Sequence, residues 1–266
     1  MGRFLDILTQ RKYDLASEIN AVESLLRRKN SGSSIARIFS ENFLQWPLRN
    51  NYINVETFLT QTGLAEIIEN SDCEEHISVD EFTFYAEYIL NMLSYIIRIA
   101  SSVDIRPVAN NINNVLDQLN FKSHIDKKGH VHIIEKDYMV SESSEIVQDN
   151  YGLGESIYAY NYRETAGNLF SKADILCRLY KYYETVEAQA RSFGLVTLVD
   201  DISTLSNKLD IRHAPTKKQE IVIANMTKQE LEEWYDELFR LFLSLIILVD
   251  YKNRRKDIKT LKGKLG

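Results

Sequence analysis

The feature that most constrains this chain is a helical spacing of apolar residues that continues through almost every segment. Gly and Pro, which interrupt helices, number only 10 and 3 among the 266 residues. Leu15, Ile19, Val22 and Leu26 illustrate the pattern, because steps of four, three and four residues place them on one helix face. The sequence therefore predicts a mainly α protein, a multi-helix bundle in two helical portions with a small β-hairpin insertion.

Two capping boxes mark the starts of two long apolar helices. In each box a Ser or Thr is followed three residues later by Glu, and both side chains can accept a backbone N–H at the helix start. Ser78 and Glu81 predict a mostly buried helix that runs to about Ser101. Thr227 and Glu230 predict the last long helix of the chain.

A hairpin is indicated where the period changes from helix to strand. Residues 121–125 and 130–136 alternate between apolar and polar, and the joining segment ends in Gly129, which can take the left-handed position of a bulged turn. An isolated hairpin is only marginally stable in water. We therefore expect this hairpin, at about residues 121–136, to pack against helices or to gain a third strand from residues 139–147.

We place a domain boundary near Asn150, where Gly and polar residues cluster between two helical halves. Residues 1–149 then form an N-terminal helical domain that carries the hairpin, and residues 150–266 form a C-terminal helical bundle with a basic tail. Within the second domain we expect one helix from about Ser156 to Phe193, ended by Gly194, and another from about Val196 to Lys208.

Three histidines of the hairpin could converge on one face. The predicted register places His124 opposite His132, and His130 lies on the same face two residues along. Three His ligands and a water form a known zinc arrangement. However, the same region carries three lysines, whose charges repel a cation: Lys122, Lys127 and Lys128. We therefore predict that the protein holds no stoichiometric metal and needs no cofactor.

The loop before the last helix concentrates groups that handle phosphate. It gathers Arg212, His213, Lys217 and Lys218 within seven residues. Imidazole exchanges protons near neutral pH, while guanidinium and ammonium groups bind phosphate or stabilise charge that develops on it. Such a set can bind or cleave RNA without a metal. The alternative is a solvated interhelical loop in which Arg212 and His213 bond to helix ends.

A helical bundle with an Arg/His loop ahead of its last long helix resembles the HEPN superfamily, which includes ribonuclease toxins and abortive-infection proteins of bacteria. The resemblance covers about Ser156 to Tyr251. It implies a pocket that faces RNA or a nucleotide, with Arg212 and His213 as the catalytic pair and Lys217 and Lys218 as substrate-binding residues. In the family the His follows the Arg after four to six intervening residues, whereas here the His is adjacent.

These observations lead to two functional hypotheses. The first is a HEPN-like bacterial defence or toxin-type protein that acts on RNA without a metal. The second is a non-catalytic helical interaction module that binds a protein partner, a nucleotide or a second copy of itself.

Charge and cysteine usage narrow the partners and the compartment. The net charge of −6 argues against generic binding to duplex DNA, although the tail from Lys252 to Lys264 is locally basic. Cys73 and Cys177 form no CxxC pair, which favours a reducing, cytoplasmic location. The longest apolar run, Leu238 to Tyr251, is interrupted by charges and is too short for a membrane-spanning helix.

Overall fold

The computed structural model describes residues 14–29, 33–73, 75–150, 152–212, 223 and 225–265. Within these ranges it contains eleven α-helices, three short 3-10 helices and a two-stranded antiparallel sheet. The prediction of a mainly α fold with a small hairpin is confirmed. The chain divides into two compact units, residues 1–135 and residues 136–266.

The first unit contains six helices followed by the hairpin. Its elements are α1 (Leu15–Arg27), α2 (Ile35–Asn42), α3 (Val55–Thr62), α4 (Leu64–Asp72), α5 (Val79–Ile99), α6 (Arg106–Gln118), β1 (Phe121–Ile125) and β2 (Val131–Glu135). The second unit contains five helices. They are α7 (Tyr138–Ile146), α8 (Leu153–Tyr160), α9 (Leu169–Ser192), α10 (Val196–Lys208) and α11 (Lys228–Leu265).

The core of the first unit forms around α1 and α5. The predicted stripe of α1 is buried, and this helix packs against α4 and α6. Helix α5 begins with the predicted capping box: Glu81 N–H donates to Ser78 Oγ, and Ser78 N–H donates to Glu81 Oε2. Ten residues of α5 are buried, which agrees with the expectation of a mostly buried helix.

The hairpin gains its support from a helix rather than from a third strand. Its register places His124 opposite His132, as predicted, and Gly129 has a φ of 82°. Helix α5 lies along the free edge of β2, where the Asn91 side chain bonds to both the N–H and the C=O of Val131. Glu87 Oε2 accepts the N–H of Ile133 on the same edge. These side chains satisfy backbone groups that an edge strand otherwise leaves to water.

The expectation of a third strand at residues 139–147 is wrong, because this segment is helix α7. Asp137 caps the helix by accepting the N–H groups of Met139 and Val140. The helix packs against α8 and α11, and Ser143 Oγ donates to the C=O of Leu243 on α11. These contacts place α7 in the second unit, so the two units divide between residues 135 and 136 rather than near Asn150.

The expected helix from Ser156 to Phe193 is two helices. Helix α8 ends at Tyr160, a 3-10 turn follows at Arg163–Thr165, and Asn168 caps the start of α9 by accepting the N–H of Ser171. Gly167 has a φ of 70° and turns the chain between them. Downstream, Gly194 follows α9 with a φ of 82°, and α10 has the predicted bounds.

Helix α11 organises the second unit, since it packs against α7, α9 and α10. Its predicted capping box is present: Thr227 N–H donates to Glu230 Oε2, and Glu230 N–H donates to Thr227 Oγ1. The basic tail continues this helix to Leu265. None of the helices in the described part of the chain is long and apolar enough to cross a membrane.

Candidate functional site

Arg212 lies at a fixed point just beyond α10. Asp210 adopts a φ of 58°, which reverses the chain, and the side chain of Ile211 is buried. The N–H of Ile211 donates to the C=O of Ser206 at 2.9 Å, and Cys177 Sγ donates to the C=O of Ile211 at 3.2 Å. The backbone immediately before Arg212 is therefore held to both α10 and α9.

The Arg212 side chain is exposed and lies against an aromatic ring. Its guanidinium carbon is 5.7 Å from the ring centroid of Tyr180, a buried residue of α9. This distance is within the range of a cation–π contact. Burial raises the pKa of Tyr180, and the charge of Arg212 opposes that rise. Tyr180 is therefore a neutral platform on which the guanidinium rests.

The other three predicted site residues, His213, Lys217 and Lys218, lie outside the described residues. Of the four predicted site residues, Arg212 is the one whose position the structure describes.

The groups beneath Arg212 belong to the packing of the unit. Burial and the nearby Asp174 raise the pKa of Cys177, so this thiol is protonated and a poor nucleophile at neutral pH. Burial also raises the pKa of Tyr235. Cys177 and Tyr235 are therefore both protonated at neutral pH.

A buried lysine near the start of α9 forms a cluster with two carboxylates that the sequence did not predict. The Lys172 side chain is only 7% exposed, and its Nζ lies 2.6 Å from Asp236 Oδ1 and 2.8 Å from Glu232 Oε1. The same ammonium lies 5.0 Å from the ring centroid of Tyr160. Glu232 and Asp236 are four residues apart on α11, and this spacing is the one sequence signal for the cluster.

Further hydrogen bonds tie the lysine cluster to the turn between α8 and α9. Tyr160 Oη donates to Asp236 Oδ1 at 2.9 Å, and the N–H of Gly167 donates to Glu232 Oε1 at 2.8 Å. The Tyr160 ring stacks on Phe239 with centroids 3.9 Å apart. Asp236 is thus bonded to the end of α8 and to α9, and Glu232 to the turn and to α9. We interpret the cluster as a clamp that holds the turn and α9 on α11.

The hairpin brings together two of the three predicted histidines and adds a carboxylate. His132 Nε2 lies 3.3 Å from Asp126 Oδ2, and His130 Nδ1 lies 3.5 Å from the same oxygen. The three ligand atoms lie within 4.8 Å of one another. His124 faces His132 in the register but is not a member of this group. The structure therefore replaces His124 by Asp126 in the candidate metal set.

Sequence reasoning overlooked Asp126 because this residue also builds the turn. Its Oδ1 accepts the N–H groups of Lys128 and His130, each at 2.8 Å. Burial raises the pKa of Asp126, but hydrogen bonds from the His130 backbone, the His132 side chain and the Lys128 backbone outweigh that effect and lower the pKa. The carboxylate is therefore ionised, with Oδ2 directed at the two imidazoles.

Comparison with known proteins gives no relative for this chain. No protein-family model, no curated protein and no solved structure matches it.

Proposed function

We propose that this protein is HEPN-like, of the bacterial defence or toxin type, and that it binds and cleaves RNA at the loop after α10 without a metal ion. The observation that carries the proposal is the exposed guanidinium of Arg212, which rests on the Tyr180 ring. The adjacent His213 and the nearby Lys217 and Lys218 supply the other basic side chains of the loop.

The contact with Tyr180 suits Arg212 for binding phosphate. The Tyr180 ring restricts the guanidinium by a cation–π contact that uses none of its N–H donors, and these donors can form two parallel bonds to phosphate oxygens. The anchored Ile211 reduces the loss of side-chain and backbone freedom on binding, because the chain before Arg212 is already ordered. Single-stranded RNA is the expected substrate, since the net charge of −6 disfavours generic duplex binding.

In the proposed reaction, Arg212 orients the scissile phosphate and neutralises its developing charge. His213 acts as general base on the 2′-hydroxyl or as general acid on the leaving oxygen. Lys217 and Lys218 hold the neighbouring phosphates. An attack by the 2′-oxygen would leave a cyclic phosphate on one product and a free 5′-hydroxyl on the other.

Binding is tested with the full chain and a fluorescent single-stranded RNA, followed by anisotropy at several salt concentrations. We expect Arg212→Ala to weaken binding by at least about tenfold, and Arg212→Lys to recover only part of the loss because the planar fork is gone. Arg240→Ala is the matched control, since Arg240 is an exposed arginine on α11 whose side chain is 72% exposed. Equal effects of Arg212→Ala and Arg240→Ala would contradict a specific role for the loop.

Cleavage is tested on the same RNA with metal chelator present. His213→Ala should abolish product formation while unfolding stability changes by less than about 0.5 kcal/mol, as expected for a surface substitution. Binding without cleavage by the wild type would favour the non-catalytic interaction module. If His213→Ala lowers the free energy of unfolding by more than about 1 kcal/mol, the imidazole instead caps the end of α10.

A further inference from the structure

We propose that Asp126, His130 and His132 form a binding site for a divalent transition-metal ion, with Zn²⁺ as the best-fitting occupant. The site belongs to the hairpin of the first unit and is independent of the function proposed for the loop after α10. The proposal replaces the sequence-based expectation of no metal, because the structure adds a carboxylate to the histidines.

The spacing of the ligand atoms fits a tetrahedral ion. Bonds of about 2.0–2.2 Å from zinc to nitrogen or oxygen place neighbouring ligand atoms about 3.3–3.6 Å apart at a tetrahedral angle. The two distances from Asp126 Oδ2 are 3.3 Å to His132 Nε2 and 3.5 Å to His130 Nδ1. The shorter of the two contacts is also a hydrogen bond between imidazole and carboxylate, which a metal ion would replace. The distances therefore match two edges of a coordination tetrahedron.

The chemistry of the donors favours zinc or a similar metal over a hard cation. Two imidazoles and one carboxylate are common ligands of zinc and of other first-row divalent metals, whereas Mg²⁺ and Ca²⁺ prefer oxygen donors. Three protein ligands leave a fourth position for water. The His130 side chain is 33% exposed, so solvent reaches the site from that side.

The ligands are held in place by groups around them. Both N–H donors to Asp126 Oδ1 fix the carboxylate, and thereby the direction of Oδ2. The backbone on either side of His132 is bonded to α5, through Asn91 at Val131 and Glu87 at Ile133. Such supporting bonds reduce the reorganisation that metal binding requires.

The two lysines at the tip of the hairpin do not prevent binding. Lys127 and Lys128 are exposed at the tip of the turn, where water and salt screen their charges. The guanidinium of Arg98 is bonded to the turn, since its Nη2 donates to the C=O of Gly129 at 3.4 Å. The carboxylate of Asp126 lies between the two imidazoles, with Oδ2 3.3 Å from His132 Nε2 and 3.5 Å from His130 Nδ1.

The experiment is titration of chelator-treated, untagged full-length protein with Zn²⁺ alone, followed by calorimetry and elemental analysis. We expect one zinc per chain and no comparable heat with Mg²⁺. Co²⁺ should give the intense visible absorption of a four-coordinate ion. The absence of any stoichiometric Zn²⁺ binding would overturn the proposal.

Variants separate the ligands from their surroundings. Asp126→Asn keeps an oxygen that can accept the two backbone N–H groups but removes the anionic ligand, so the turn should persist while zinc affinity falls by at least about tenfold. His130→Ala and His132→Ala should weaken zinc to a similar or greater extent. His76→Ala is the control for unspecific imidazole binding, because His76 is exposed and outside the cluster.

Two results would refute the assignment of ligands. One is zinc binding that Asp126→Asn leaves unchanged while circular dichroism shows a wild-type helix content. The other is loss of zinc in His124→Ala to the same extent as in His132→Ala, which would restore the three-histidine site.

Discussion

The ammonium of Lys172 lies 2.6 Å from a carboxylate oxygen of Asp236, and this pair joins the first turn of α9 to α11 across 64 residues of sequence. Glu232 binds the same ammonium one helical turn earlier on α11. Because the Lys172 side chain is only 7% exposed, its ammonium depends on these two partly exposed carboxylates for the charge partners that water would otherwise supply.

We expect Lys172→Ala to lower the free energy of unfolding by about 2–3 kcal/mol. Removal of one partner from a buried ion pair costs about 3–5 kcal/mol, and the partial exposure of both carboxylates reduces that cost. Urea unfolding followed by circular dichroism measures the loss. Lys181→Ala, an exposed lysine of the same helix, should change stability by less than about 0.5 kcal/mol. Similar losses in both variants would contradict the clamp.

The clamp also predicts a pH dependence. The hydrogen bond from Lys172 and the N–H of Gly167 lower the pKa of Glu232 from its ordinary value of 4.5. A carboxyl whose folded-state pKa is depressed adds stability above its unfolded pKa, and this stability is lost as the pH falls through the folded-state value. The free energy of unfolding of Glu232→Gln should therefore be lower than that of the wild type at pH 7. The difference should shrink below about pH 4.5, as the wild-type carboxylate takes up its proton. The exposed neighbour variant Glu233→Gln provides the comparison.

Asn91 should be essential to the hairpin. Its Nδ2 donates to the C=O of Val131 at 2.7 Å and its Oδ1 accepts the N–H of Val131 at 2.8 Å. Asn91→Ala leaves both groups without this partner, which should cost about 1–3 kcal/mol and speed amide exchange at Val131. Asn114→Ala, at an exposed position of α6, should leave that exchange rate unchanged. Unchanged protection of Val131 in Asn91→Ala would show that α5 does not hold the edge.

Gly154 should tolerate no side chain. A Cβ at this position would lie 2.7 Å from the backbone oxygen of Ser144 and 3.3 Å from the Cα of Gln148. Gly154→Ala must therefore separate α7 from α8. We expect it to lower the free energy of unfolding by more than about 2 kcal/mol, as measured by thermal or urea denaturation. Gly263→Ala meets nothing within 4 Å and lies in α11, so it should be neutral or slightly stabilising. A neutral Gly154→Ala would refute the close approach.

Features that depend on neighbours within a few residues could be predicted from the sequence. The stripe of α1, the capping box at Ser78 and the hairpin register at His124 and His132 all follow from helical or strand periods and from short-range side-chain bonds. For the candidate loop site, the sequence pointed to Arg212, but it contained no sign that Tyr180 supports the guanidinium, because these residues lie on different segments.

The sequence by itself determined the helical class, the starts of the two capped helices and the pairing of the hairpin, because those properties are local. Only the tertiary structure decided that α7 joins the second unit and that Lys172 meets Asp236. It also decided that Oδ2 of Asp126 faces His130 and His132. Asp126, His130 and His132 are close in sequence. The direction of Oδ2 nevertheless depends on the folded turn and on the helix that holds β2, and no residue pattern encodes it.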